Sequence, residues 1–131
     1  MLDANVLIAA LLRDSTTRKL IAMGGIDLHA PAYLFEETQE HFGELLDRSG
    51  ISASALAEVF RILRGYITEH PVEVYEGHLE RAMEILGDSD PRDAPYVALA
   101  LAIEADALWT EDRGLRNLSG VRTLRTHELV R

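Results

Sequence analysis

The side chains of this sequence that could do chemistry are its acids. There is no cysteine, and the signatures of a serine nucleophile elbow and of a Gly-rich phosphate loop are missing. Asp3 follows the short strand that Leu2 begins, and Asp112 comes two residues after the apolar run ALWT. Ligands of open parallel sheets bind at the carboxyl ends of the strands. Carboxylates suit hard cations such as Mg²⁺ or Mn²⁺, so a metal site is one interpretation of these two acids.

Taken singly, each acid also has an ordinary structural explanation. Asp3 lies near a chain end, where many proteins fray, and Asp112 begins the turn E-D-R-G. Glu37 stands beside another glutamate in a helical segment rich in acids, so it could belong to a solvated face. Asp93 follows the Asp-Pro pair at 90–91, an arrangement typical of a helix start. The residues alone leave a metal site and a set of surface acids both open.

The elements that must position these acids alternate between short apolar runs and helical segments. Such alternation predicts an α/β fold with three layers, α/β/α, around a mainly parallel sheet of four or five strands. The chain is expected to form one domain, residues 1–131. Strands are predicted from Leu2 and at 26–30, 72–75, 107–110 and 121–126. Helices are predicted at 16–23, 31–48, 52–63, 78–86 and 90–103.

Segments along the whole chain resemble the motifs of the PIN-domain family. D-x-N-V-L at 3–7 looks like the opening motif, and PAYLFEETQEHF at 31–42 is similar to the second segment. DPRDAPYVALAL at 90–101 matches the third motif, and LWTEDRGL at 108–115 matches the strand-plus-acid fourth motif. The ending THELV at 126–130 is also similar to the family's close. One departure is that only Met1 and Leu2 precede Asp3, where family members usually carry several apolar residues.

The resemblance implies a nuclease site built from four acids. Asp3, Asp93 and Asp112 are expected as direct or water-mediated ligands of Mg²⁺ or Mn²⁺, and Glu37 either ligates or orients the attacking water. Glu36 is the alternative to Glu37 as the helical acid. A metal-activated water would attack in line and leave a 5′-phosphate and a 3′-hydroxyl. A pair of ions could stabilise both the attacking and the leaving oxygen.

Other residues in the motifs or directly after them are expected in supporting roles. Asn5 belongs to the first motif, and Asp90 could act as a fifth acid because residues three apart share a helix face. Thr110 either bonds a carboxylate or a metal-bound water, or is simply a buried strand residue. Arg113 and Arg116 either contact the RNA backbone or are solvated loop charges.

The resemblance further implies a biological setting. Small stand-alone PIN proteins of bacteria and archaea are often toxins of toxin–antitoxin pairs that cut RNA, form homodimers and are held inactive by a small antitoxin. A metal-dependent ribonuclease of this kind is the predicted function. No apolar run approaches the roughly 20 residues of a membrane span, so we expect a cytoplasmic protein that does not enter the membrane. The alternative is a PIN-like scaffold that binds RNA or a protein without cleaving.

The charge distribution limits how the chain could grip RNA. Net charge is −9, and residues 36–90 hold thirteen acids against four arginines, so the remainder is neutral on balance. The tail 113–131 carries five arginines against one glutamate. Proteins that bind nucleic acid by counterion release usually present a broad basic surface. This chain offers only a local basic strip, although an acidic balance suits a site whose carboxylates bind cations.

Competing α/β folds that use acids at strand ends fit less well. A receiver domain or an aspartate-nucleophile phosphatase would each need a lysine near the phosphate. The single lysine, Lys19, lies in the predicted first helix, far in sequence from the later strands. The phosphatase signature also requires a second aspartate where Asn5 stands.

Overall fold

The computed structural model of the 131-residue chain describes residues 1–2, 4–12, 15–23, 25–115 and 118–130. For residues 4, 5, 12 and 15 it describes the backbone only. Three of the residues singled out above therefore lie outside the described part: Asp3 and Arg116 entirely, and Asn5 in its side chain.

Parallel strands form the centre of the molecule. Strand β1 (Leu28–Pro31) pairs with β2 (Ile67–His70), and β3 (Leu108–Trp109) pairs with β4 (Thr123–Leu124). Residues 1–2 join the two pairs, because the Leu2 amide donates to the His29 carbonyl at 3.1 Å and the Trp109 amide donates to the Met1 carbonyl at 2.7 Å. Leu2 also forms a parallel bridge with Trp109. The spatial order is therefore β2, β1, Leu2, β3, β4, which confirms a mainly parallel sheet.

Helices surround these strands and supply most of the described backbone. Among the described residues, two helices precede β1, three lie between β1 and β2, three lie between β2 and β3, and one follows β4. Short 3₁₀ turns cover Glu76–His78, Pro91–Asp93 and Arg113–Leu115. The helix bounds are α1 Ala4–Leu12, α2 Ser15–Met23, α3 Ala32–Glu40, α4 Phe42–Ser49, α5 Ala53–Arg64, α6 Val72–Tyr75, α7 Leu79–Leu86, α8 Ala94–Ala102 and α9 Thr126–Leu129.

Helix α8 is the central element of one helical layer. Every residue from Tyr96 to Ala100 is buried. The helix packs against β1 and β3 on one side and against α6 and α7 on the other. A helix that is apolar all round must be covered all round. The alanines of α8 let its backbone approach the sheet closely, and this fixes the position of the acid that precedes the helix.

The start of α5 follows its sequence signal. The Ala55 amide donates to the Ser52 hydroxyl at 3.2 Å, so Ser52 is the N-cap of α5. Gly50 has φ of 71° at the end of α4, a conformation that glycine adopts without steric cost.

Two predicted elements are wrong. The extended piece expected at 72–75 is helix α6, and the strand is Ile67–His70 instead. Only Ile67 of that strand is buried, so its apolar signal is weak, and Pro71 ends it by capping the helix that follows. The single helix expected at 31–48 is two helices that meet at His41, and Pro31 is the last residue of β1 and the N-cap of α3.

The remaining predicted strands are too long, whereas the helices predicted at 16–23 and 52–63 agree with α2 and α5 to within one residue at each end. The predicted strands at 26–30, 107–110 and 121–126 are each shorter in the structure. The strand predicted from Leu2 is a single bridge, because α1 begins at Ala4. In the part of the chain that is described, no helix is long and apolar enough to cross a membrane.

Candidate active site

Glu37 is the acid whose surroundings are most fully defined. It lies on α3 and is half-buried, whereas the neighbouring Glu36 is exposed. The Tyr33 hydroxyl donates to Glu37 Oε2 at 3.1 Å, and the Tyr96 hydroxyl donates to Glu37 Oε1 at 3.0 Å. The carboxylate is therefore held at both oxygens, on the side of α3 that faces α8. This orientation favours Glu37 over Glu36 as the helical acid.

The two tyrosines pack against each other as well as against the acid. Their rings meet edge to face, with centroids 6.1 Å apart and planes inclined by 64°. Tyr96 is 2% exposed. Burial raises the pKa of Tyr33, and the charge of Glu37 and the hydrogen bond to it raise that pKa further. The Tyr33 hydroxyl consequently keeps the proton that it donates to Glu37.

Asp93 reaches the same region through α8. It ends the 3₁₀ turn Pro91–Asp93 and is the N-cap residue of α8, where it is half-buried. Tyr96 follows three residues later, and residues three apart share a helix face. Asp93 thus leaves the start of α8 on the side from which Tyr96 reaches Glu37.

Asp90, proposed above as a fifth acid, is engaged with Arg92. Its carboxylate accepts the Arg92 backbone amide at 2.9 Å and the Arg92 guanidinium at 2.7 Å. The hydrogen bonds from Arg92 hold the pKa of Asp90 below its ordinary value. Arg92 is also close enough to Glu37 for their opposite charges to attract each other. The sequence motifs did not point to this cation at the edge of the site.

Asp112 lies in a compact loop after β3. Its amide donates to the Thr110 hydroxyl at 3.0 Å, and its Oδ1 accepts the Gly114 amide at 2.8 Å. A Cβ at Gly114 would come within 3.3 Å of that same Oδ1, so glycine suits the position. The Ser89 hydroxyl donates to the Gly114 carbonyl at 3.3 Å. This last bond joins the Asp112 loop to the turn that precedes Asp93.

The supporting threonine and arginine have different surroundings. Thr110 is buried, as one of the two interpretations expected, and its hydroxyl accepts a hydrogen bond from the Asp112 backbone amide rather than from a carboxyl group. Arg113 is exposed beside Asp112, at the start of a 3₁₀ turn.

Three acid-bearing segments are thus neighbours: α3, the start of α8, and the loop after β3. Within residues 1–2, 4–12, 15–23, 25–115 and 118–130, no three Asp, Glu or His side chains are grouped closely enough to hold a metal ion. The fourth acid, Asp3, lies outside that part, although Leu2 before it pairs with Trp109 of β3. The described donors in this region are carboxylate and hydroxyl oxygens. That donor chemistry fits a hard divalent cation.

Sequence reasoning missed the tyrosines. Tyr33 is four residues before Glu37 on the same helix, a spacing at which side chains touch, so this contact could have been anticipated. The contact between Tyr96 and Glu37 spans 59 residues in sequence. No local pattern signals it.

Comparison with known proteins agrees with this architecture. The PIN domain family matches residues 1–130. The VapC ribonuclease Mb0985 of Mycobacterium bovis is 34% identical over 113 residues, covering 86% of this chain and 84% of that protein. Ribonuclease VapC9 of Mycobacterium tuberculosis matches with the same identity and coverage. The family match spans nearly the whole chain, and both relatives exceed 30% identity over most of its length. The chain belongs to the PIN domain family.

Proposed function

We propose that this protein is an endoribonuclease that depends on a divalent metal, Mg²⁺ or Mn²⁺, and that it is the toxin of a toxin–antitoxin pair. The observation that carries the proposal is the carboxylate of Glu37, bound at both oxygens by tyrosine hydroxyls, one of which comes from the first turn of the helix that Asp93 precedes. The similarity to VapC ribonucleases over 113 residues supports RNA as the substrate. Nucleases of the PIN family generally use divalent ions.

The residues that would hold the metal are Asp3, Glu37, Asp93 and Asp112. A bound divalent ion would offset the negative charge that develops on the phosphate oxygens and would lower the pKa of a water, so that hydroxide is available to attack. The protein's part is to fix the acids. Glu37 is fixed by its two tyrosines, and Asp112 by its bond to Gly114. The Thr110 hydroxyl, which accepts the Asp112 amide, ties the loop to the end of β3.

Arginines near the proposed metal-binding acids are the residues that would bind the phosphate backbone of RNA. Arg113 is exposed one residue after Asp112, and Arg116 directly follows the motif at 108–115 in sequence. Arg92 carries a further charge near Glu37. With a net charge of −9, the chain depends on such local cations and on bound metal to attract a polyanion.

The experiment that tests the proposal is cleavage of a fluorescent single-stranded RNA by the purified protein after chelation. We expect no cleavage without metal, recovery with Mn²⁺ or Mg²⁺, and little recovery with Ca²⁺. The physical reason is that Ca²⁺ is larger, accepts flexible coordination and activates water poorly. Products should carry a 5′-phosphate and a 3′-hydroxyl, read by whether a 5′-phosphate-dependent exonuclease degrades them. A protein that binds the RNA but never cleaves it, with any of the three ions, would instead be the non-catalytic scaffold.

The toxin assignment also has a direct test. We propose a homodimer held inactive by a small partner protein that reaches the acids. The toxin alone should slow the growth of a bacterial host, and the gene product encoded beside it should restore growth and form a stable complex. Light scattering of the free protein should give twice the 14.6 kDa chain mass. Unimpaired growth on expression of active, metal-competent protein would remove the toxin assignment while leaving the nuclease assignment intact.

A further inference from the structure

We infer that Tyr33 and Tyr96 are positioning residues that fix the orientation of Glu37 and, through Tyr96, its position relative to Asp93. The inference rests on the proposed metal-dependent function. It adds two residues that no acid motif includes.

The carboxylate of Glu37 is hydrogen-bonded at both of its oxygens. One tyrosine hydroxyl bonds each carboxylate oxygen, at 3.1 Å and 3.0 Å. A carboxylate offers about four lone-pair sites, so two bonds leave acceptor capacity for a metal or a water. A glutamate bonded at one oxygen could still rotate about its terminal bond, and one bonded at both cannot. The remaining lone pairs therefore have a set direction.

The two tyrosines lie on different helices. Tyr33 lies on α3, one turn before Glu37, while Tyr96 belongs to α8. Tyr96 is held by the core and by the edge of the Tyr33 ring, so its hydroxyl has a fixed place. Asp93 lies one turn before Tyr96 on the same helix start. The hydrogen bond from the Tyr96 hydroxyl to Glu37 therefore joins α3, which carries one proposed ligand, to the helix that begins at Asp93, another proposed ligand.

A positioning role of the tyrosine hydroxyls differs from a purely structural role in its effect on metal binding. A buried tyrosine hydroxyl usually has a hydrogen-bond partner whether or not it serves a site. If the bond has only a structural role, losing it lowers the stability of the protein but leaves its metal affinity unchanged. Residues that orient metal ligands behave differently, because removing them typically weakens metal binding or activity about 10- to 100-fold. Metal affinity is thus the quantity that distinguishes the two roles.

The experiment compares Tyr33→Phe, Tyr96→Phe and the double variant with wild type, using Mn²⁺ alone as the probe in calorimetry. We expect each single variant to raise the Mn²⁺ dissociation constant and the Mn²⁺ concentration for half-maximal cleavage by roughly tenfold, and the double variant by more. The matched controls are Tyr75→Phe, at a tyrosine that is 4% exposed, and Tyr66→Phe, at a tyrosine that is 50% exposed. Neither control should change either quantity.

A second measurement tests whether the tyrosines act through Glu37. In a Glu37→Gln background, Tyr96→Phe should no longer change the Mn²⁺ dissociation constant, since the oriented carboxylate is already gone. The same change in both backgrounds would overturn the inference. So would wild-type metal affinity in folded Tyr33→Phe, whose half-exposed ring tolerates the change even if Tyr96→Phe unfolds. If Asp93→Asn loses cleavage while the tyrosine variants keep wild-type metal affinity, only the positioning role is refuted. If Asp93→Asn cleaves like wild type, the proposed function itself is refuted.

Discussion

Asp93→Asn and Asp112→Asn should each lower RNA cleavage by roughly 100- to 1,000-fold while leaving the protein folded. A ligand carboxylate contributes several kcal/mol to charge stabilisation at a metal site, and each 1.36 kcal/mol is about a factor of ten in rate. The amide keeps the shape and removes the charge. Asparagine is accepted at a helix start as readily as aspartate, and its carbonyl can still accept the Gly114 amide that Asp112 Oδ1 accepts now. The measurement is single-turnover cleavage at saturating Mn²⁺.

The matched control is Asp88→Asn. Asp88 is an exposed acid in the turn between α7 and Asp93, and it belongs to none of the acid-bearing motifs. Its loss changes the net charge of the protein by the same amount as the two site variants do. Cleavage by Asp88→Asn should therefore stay within about twofold of wild type. If all three variants lose activity equally, the effect is one of overall charge, and the assignment of Asp93 and Asp112 as ligands fails.

The parallel sheet and the approximate place of the acids could be predicted because both depend on local sequence. The run around Leu108 and the α8 segment are apolar, and burial on both faces is what such runs indicate. Asp112 follows its strand, so its place at the carboxyl end of the sheet comes from chain direction alone. The Ser52 cap of α5 is equally local.

The features that escaped prediction depend on contacts between distant segments. Strand β2 has one buried residue, so its identity comes from pairing with β1 rather than from its own pattern. That pairing also brings His29 Nδ1 within 2.9 Å of His70 Nε2, a contact invisible to helix-based spacing rules. The break of the predicted long helix at His41 is different, because Gly43, two residues later, is a local signal for it.

The orientation of Glu37 lies between these two cases. Helical periodicity cannot choose between two adjacent glutamates on a segment with acids on several sides. The spacing of Tyr33 four residues before Glu37 favours Glu37 over Glu36. The hydrogen bond from Tyr96 of α8, however, is what distinguishes the two acids in the structure. A site made of residues from several helices is specified by how those helices pack. The packing of α8 is therefore a functional property, and it can be tested separately from the acids.

Leu99→Ala should lower the free energy of unfolding by about 2–5 kcal/mol. Leu99 is fully buried in α8. Truncation removes apolar contacts and leaves a cavity, because the tightly packed surroundings relax only in part. Because domains of this size are stable by only about 5–15 kcal/mol, the loss is a large fraction of the total. Urea unfolding followed by circular dichroism measures it.

The control is Leu101→Ala, two residues further along the same helix. Leu101 is only partly buried, so the same change of side chain removes less contact area and opens less of a cavity. Leu101→Ala should cost less than half of what Leu99→Ala costs, with the same dependence on urea concentration. Equal losses would mean that helix propensity or the unfolded state sets the effect. Burial of α8 against the sheet would then not be what holds Asp93 and Tyr96 in place.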